Sequence, residues 1–151
     1  MNKDKKTLKF KISHIIKEIE FLKKIHTEHI IGFTNSINLD LSISLKSIGG
    51  SDEILFIILA LKNSIIVEIS SLFKSQNKKY PNQISLDDFL IDNNEYVLIK
   101  NSLEIRNITN ERNKWISHIE KEGLDNVKNL EELFNPYIID SLSKIVTLLP
   151  E

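Results

Sequence analysis

The sequence predicts an all-α protein, an antiparallel bundle of four long helices with one or two short ones. Three observations predict it. Apolar residues recur at helical spacing in separate stretches along the chain. One of these, residues 52–75, is apolar nearly all round, as a helix at the centre of a bundle must be. The one hint of strand, the alternation of Leu39, Leu41, Ile43 and Leu45 before Gly49-Gly50, has no second strand to pair with, so 38–50 reads as a loop.

Taken in order, residues 1–11 are basic and read as loosely ordered. From Ile12 a helical rhythm runs through Ile15, Ile16, Ile19, Leu22 and Ile25, and predicts an amphipathic helix over 11–37. His14, His26 and His29 lie on it. His26 and His29 share a face, but no H-E-x-x-H or E-x-x-H supplies further ligands, so they read as surface histidines and no metal is expected. Ser51 is suited to cap a helix over 52–75, and Asp52-Glu53 suit its positive end. Asn63 and Glu68 interrupt that apolar helix, and either is a candidate partner for a buried cation. Residues 76–84 are a loop. Ser85-x-x-Asp88 resembles a capping box and opens a short helix, 86–91. Asp92-Asn93-Asn94 breaks it and caps a helix over 94–122, with Lys121 in its last turn and Gly123 as its stop. A short turn of helix is expected near Leu130–Phe134. Asn135-Pro136 then caps a final helix, 136–148, which buries Ile138, Ile139, Leu142, Ile145 and Leu148. No repeat or internal boundary interrupts the chain, so 1–151 reads as a single helical domain.

With 151 residues, 41% hydrophobic and 27% charged, the chain is long enough to bury a core. A formal net charge of −1 implies neither a strong nucleic-acid footprint nor an acidic tail. The charge is uneven. Residues 1–24 hold eight lysines against Asp4, Glu18 and Glu20, and residues 120–151 hold seven acids against Lys121, Lys128 and Lys144. Both ends read as solvated helix surface. The absence of cysteine excludes disulfides, thiolate chemistry and Cys-based zinc sites. No apolar leader with a small-residue cleavage site is present, and the longest apolar run, Ile54 to Leu61, is too short to span a bilayer. A cytoplasmic location without a membrane partner is expected.

The chemistry-bearing stretch is Arg112-Asn113-Lys114-Trp115-Ile116-Ser117-His118. The chain has two arginines, Arg106 and Arg112, against eighteen lysines. Arg grips phosphate oxygens with two parallel donors, and His exchanges a proton near neutral pH. On a helical wheel Ile105, Ile108, Trp115 and Ile119 fall within about 60° of Arg112, so this arginine sits in an apolar stripe. His118 flanks the stripe. The structural alternative is a snorkelling arginine paired to an acid such as Glu68. Arg112 and His118 are about 120° and roughly 9 Å apart on a straight helix. One copy thus gives a loose pair, whereas a two-fold interface between two such helices sets two of each residue around one cleft.

This stretch, with five residues between Arg and His and Asn in the second place, resembles the motif of the HEPN superfamily. More narrowly, it is similar to the abortive-infection U-type branch (AbiU-like). The features that carry this likeness are Arg112-Asn113-Lys114, then Ser117, His118 and Glu120, with Ser70-Ser71-Leu72-Phe73 and Ile84-Ser85-Leu86 upstream. The likeness covers most of residues 50–148 and is weak over 1–49. Ser117 stands where alanine is commoner, and Glu120 where aspartate is. The resemblance implies a metal-independent endoribonuclease without a cofactor, a toxin or phage-defence effector that acts as a homodimer on RNA. In such enzymes the 2′-hydroxyl attacks its own phosphate, usually leaving a cyclic phosphate. Arg112 would hold that phosphate, His118 would act as general acid or base, and Asn113 would be a supporting polar contact. Another HEPN pattern carries a tyrosine two positions after the histidine, where a partner nucleotidyltransferase modifies it. Glu120 occupies that place here, which leaves an antitoxin of another kind open. The alternative expectation is a non-catalytic HEPN-like module that dimerises or holds a nucleotide or partner protein. The mild net charge favours it, because tight RNA binders are usually more basic.

Overall fold

A computed structural model describes residues 2–28, 51–74, 84–117 and 130–149. Among these residues the regular structure is all helical, without a strand. The helices are α1 (Asn2–His26), α2 (Ser51–Leu72), α3 (Asp87–Leu90), α4 (Asn94–Lys100), α5 (Leu103–Ser117), α6 (Leu130–Leu133) and α7 (Pro136–Leu148). α1 packs on α2 and α7. α2 also packs on α5, while α7 meets α4 and α5, and α6 lies on α5. The predicted all-α class holds, and the helices form a bundle around one apolar core. The expected loop over 38–50, the continuation of the first helix to 37, and Lys121 with the stop at Gly123 lie outside the described residues.

α1 starts at Asn2 rather than near residue 11. Its buried stripe is Leu8, Ile12, Ile15, Ile19 and Leu22, each no more than 2% exposed. The steps between them alternate four and three, which keeps one face inward. Leu8 is flanked by lysines, so the first turns of this stripe are disguised as a charged tail. Lys5 extends over the ring of Phe89, 5.6 Å from its centroid, a cation–π contact that ties the start of α1 to α3. His26 continues the stripe one turn beyond Leu22 and is only 3% exposed, which corrects its reading as a surface histidine.

α2 buries Ile58, Ile65, Ile66, Ile69 and Leu72. It is not enclosed on every side, however. Ile57 and Val67 are exposed, while among the described helices α1 and α5 make its main contacts. A backbone hydrogen bond, Leu86 N–H to the Leu72 carbonyl at 3.0 Å, joins the end of α2 to the approach to α3. Phe73 stacks on Tyr96 beside it, with centroids 6.1 Å apart.

The single helix expected over 94–122 is two. Asn93 caps α4 as the sequence suggested, accepting from Tyr96 N–H at 3.1 Å. α4 then closes with Asn101 N–H on Val97 and Ser102 N–H on Ile99. Ser102 restarts the helix. Its hydroxyl donates to the Ile99 carbonyl at 2.6 Å and accepts from Ile105 N–H at 3.3 Å, so one side chain serves the end of α4 and the cap of α5. The expected capping box at Ser85 forms one of its two limbs, Asp88 Oδ2 accepting from Ser85 N–H at 2.9 Å. Asn135 caps α7 through Tyr137 N–H at 3.0 Å, with Pro136 in the first turn. Of the residues expected in the core of α7, Ile138, Leu142 and Ile145 are buried, whereas Ile139 and Leu148 pack at its edge.

Candidate functional site

α5 carries the residues the sequence singled out. Ile105 and Ile108 face the core at 1% and 0% exposure. Arg112 lies one turn past Ile108 on the same line and is half-buried, as is Glu111 beside it. Arg106, the other arginine, is exposed. Among the described residues the Arg112 guanidinium has no hydrogen-bond or ion-pair partner. Glu68 does not serve as one, since its Oε1 accepts from Ser64 Oγ at 3.5 Å and its carboxyl abuts Glu18. Asn113 follows Arg112 in α5, which ends at Ser117. His118 lies outside the described residues. The structure therefore brings Arg112 and Asn113 together as neighbours on one helix. The apolar stripe leading to Arg112 is occupied by the chain's own core, so Ile105 and Ile108 need no partner chain to cover them.

A second polar cluster spans α1 and α2. His14 Nε2 and Glu18 Oε1 are 2.5 Å apart, one turn from each other on α1. Glu68 meets them from α2. Its carboxyl is held above the usual carboxylate range, first by burial and then by the negative charge of Glu18, with His14 working the other way. Beside the cluster is a cleft of about 160 Å³, lined by Phe10, His14, Ile15, Glu68 and Leu72 among others. Phe10 and His14 stack across its mouth, with centroids 6.4 Å apart and planes 8° from parallel. Burial and the neighbouring Glu18 carboxylate both make Glu68 hold its proton more tightly than a free carboxyl does. Sequence reasoning missed this grouping. The spacing of His14 and Glu18 on one helix face was the available signal, but only the packing of α1 on α2 brings Glu68 to them. Among the described residues no group of His, Asp and Glu is arranged to hold a metal ion.

A third set of polar side chains is buried under α4. Tyr96 is fully buried, and its hydroxyl donates to Asp87 Oδ1 at 2.5 Å. Lys100 Nζ donates to Asp87 Oδ2 at 2.7 Å. Burial, and then the hydrogen bond to Asp87, push the Tyr96 phenol above its ordinary range, so it stays protonated. The network pins α3 to α4 and thereby fixes the base from which α5 departs. Lys62 is also buried, in the apolar stripe of α2 between Ile58 and Ile65, where the sequence reading noted no charge.

No family model, no curated protein and no solved structure matches this chain. Among the described residues no helix is long and apolar enough to cross a membrane.

Proposed function

We propose that the chain is a metal-independent endoribonuclease of the HEPN type, related to the abortive-infection U-type branch, that serves as a toxin or phage-defence effector. The observation that carries this reading is the setting of Arg112. It is half-buried in line with Ile105 and Ile108, with no acid paired to it among the described residues. A partly desolvated guanidinium that is not spent on a carboxylate keeps its fork of donors for an incoming anion, and phosphate fits that fork in a bidentate manner.

In this reading a base removes the proton of the RNA 2′-hydroxyl. The 2′-oxygen then attacks the adjacent phosphorus, the P–O5′ bond breaks, and the leaving oxygen takes up a proton. The products are a 2′,3′-cyclic phosphate and a 5′-hydroxyl, and no metal or cofactor takes part. His118 supplies the acid or base, a role worth roughly 10²–10⁴ in rate. Arg112 stabilises charge developing on the phosphate, worth roughly 10²–10³. Asn113 is a supporting polar contact.

The finer architecture in this reading is an antiparallel bundle of four long helices, formed by α1, α2, α4 with α5, and α7. Three contacts at one end of the molecule support it: Lys5 over Phe89, Leu86 bonded to Leu72, and Lys144 of α7 3.4 Å from Glu95 of α4. The active form is a homodimer with its cleft on the two-fold axis, working in the cytoplasm without a membrane partner, and held in check by an antitoxin or other protein partner.

The test is cleavage of a mixed RNA pool by wild type, Arg112→Ala and His118→Ala, each in excess EDTA. Wild type should cut despite the chelator. Each variant should be slower by roughly 10²-fold or more. Equal cutting by all three would refute the assignment. A net charge of −1 favours the second reading, a HEPN-like module that only dimerises or holds a nucleotide or partner. In that case His118→Ala would keep the biological effect of the wild type.

A further inference from the structure

The basic N-terminal stretch, read from sequence as plain solvated surface, is sorted by α1 into one stripe. With Phe10 at zero on the wheel, Lys3, Lys6, His14, Lys17, Phe21 and Lys24 all lie within about 40° of it. All are exposed, Phe10 at 73% and Phe21 at 55%. The buried stripe from Leu8 to Leu22 occupies the opposite side, against α2 and α7. Between Lys3 and Lys24 no acid falls within about 60° of the line, and Glu18 meets it only through His14. The face is therefore positive along a length of roughly 30 Å, with two aromatic rings set into it roughly 16 Å apart.

From this face we infer that α1 is a docking track for single-stranded RNA, an assignment that rests on the ribonuclease reading and names where its substrate lies. Phosphates require a row of cations, and the four lysines supply one. Bases freed from a duplex require flat apolar surfaces, and the Phe10 ring supplies one, backed by the parallel imidazole of His14. Phe10 is the ridge between two hollows. One is an open depression lined by Lys3, Lys6 and Thr7, and the other is the cleft that holds Glu68. A base stacked on the ring would have its phosphate beside Lys3 and Lys6. Its polar edge would be directed toward the cleft, where Glu68 and Ser71 stand. A duplex would gain the charge contacts without the stacking. A lipid surface fits the stripe less well. Its apolar content is two separated rings, while the continuous apolar side of α1 is already consumed by the core.

The test uses the full chain and a single-stranded 2′-O-methyl oligonucleotide of about ten residues. This ligand lacks the nucleophile of the cleavage step, so binding is read apart from chemistry. By fluorescence anisotropy, Phe10→Ala and Phe21→Ala should each weaken binding roughly tenfold. Phe10→Tyr and Phe21→Tyr should bind as wild type does. Lys6→Gln and Lys17→Gln should each flatten the dependence of log affinity on log salt by about 0.7. All four positions substituted are on the surface, and unchanged melting temperatures would verify that the fold is intact. Wild-type affinity in the alanine and glutamine variants would overturn the track. So would binding to phosphatidylserine vesicles with no binding to the oligonucleotide. If the wild type cuts RNA and the stripe variants cut and bind as well as it does, the track fails and the ribonuclease reading stands. If the stripe variants lose binding but no form cuts RNA, the track stands and the ribonuclease reading fails.

Discussion

Replacing Tyr96 with Phe tests the base on which α5 is mounted. The substitution keeps the ring that stacks on Phe73 and removes one hydroxyl. That hydroxyl donates to a carboxylate that is itself only 7% exposed, at 2.5 Å. A hydrogen bond to a charged group contributes about 1.5–3 kcal/mol, and its burial puts this one toward the upper end. For a chain of 151 residues that corresponds to a fall in melting temperature of roughly 3–12 °C. Lys100→Met, which removes a second donor, should cost about 1 kcal/mol or less, because the lysine is 28% exposed and screened by solvent. Urea unfolding of both variants and their combination reads the two terms and their coupling. The phenol adds a signature at high pH. Its ordinary value is 10.0, and it is raised in the folded protein. The unfolded chain thus loses the proton first, and wild-type stability falls as pH rises above that value. Tyr96→Phe should lack this phenol's share of the alkaline loss. A variant within about 0.5 kcal/mol of wild type, with the same alkaline slope, would refute the view that the Asp87–Tyr96 bond anchors α4.

The carboxyl of Glu68 is raised from 4.5, so the folded state holds its proton more tightly than the unfolded state, and stability falls as pH climbs through that window. Glu68→Gln should therefore stabilise the protein more at about pH 8 than at about pH 4, read by thermal melts across pH. Parallel pH curves would count against the burial of Glu68 and its contact with Glu18. Leu8→Ala should cost about 2–5 kcal/mol in urea unfolding, because Leu8 is fully buried. A loss below about 0.5 kcal/mol would mean that the first turns of α1 do not belong to the core.

What was legible in the sequence is what depends on a few adjacent residues. The stripe from Ile12 to Leu22, the cap at Asn93 and the pairing of Asn135 with Pro136 are decided within one or two turns, and the structure has them where expected. The position of Arg112 in line with Ile105 and Ile108 was also legible, because helix geometry alone puts them there. The start of α1 was hidden because Leu8 sits among lysines whose charge hides a buried position. The break at Asn101-Ser102 was hidden because both residues are also tolerated on the wet face of a continuous helix, and only the bonds of the Ser102 hydroxyl tell the cases apart. The meeting of Glu18 with Glu68 depends on how two helices slide past each other, which no local pattern encodes. The pairing of Arg112 with Glu68, considered from sequence, fails for the same reason: the alignment of α2 commits Glu68 to α1.

The joint at Ser102 also bears on how such a chain can change over generations. In an unbroken helix, one inserted residue before position 101 would turn everything after it by about 100° and carry Arg112 off its face. Here the rotational phase of α5 is set afresh by a serine hydroxyl and by Arg106 N–H bonding the Ser102 carbonyl at 3.0 Å. The phase of α5 is therefore decided at the joint and not by a continuous run of turns from α4. The half of the segment that buries Tyr96 and the half that displays Arg112 thus start from separate caps, Asn93 and Ser102, each setting the phase of its own helix.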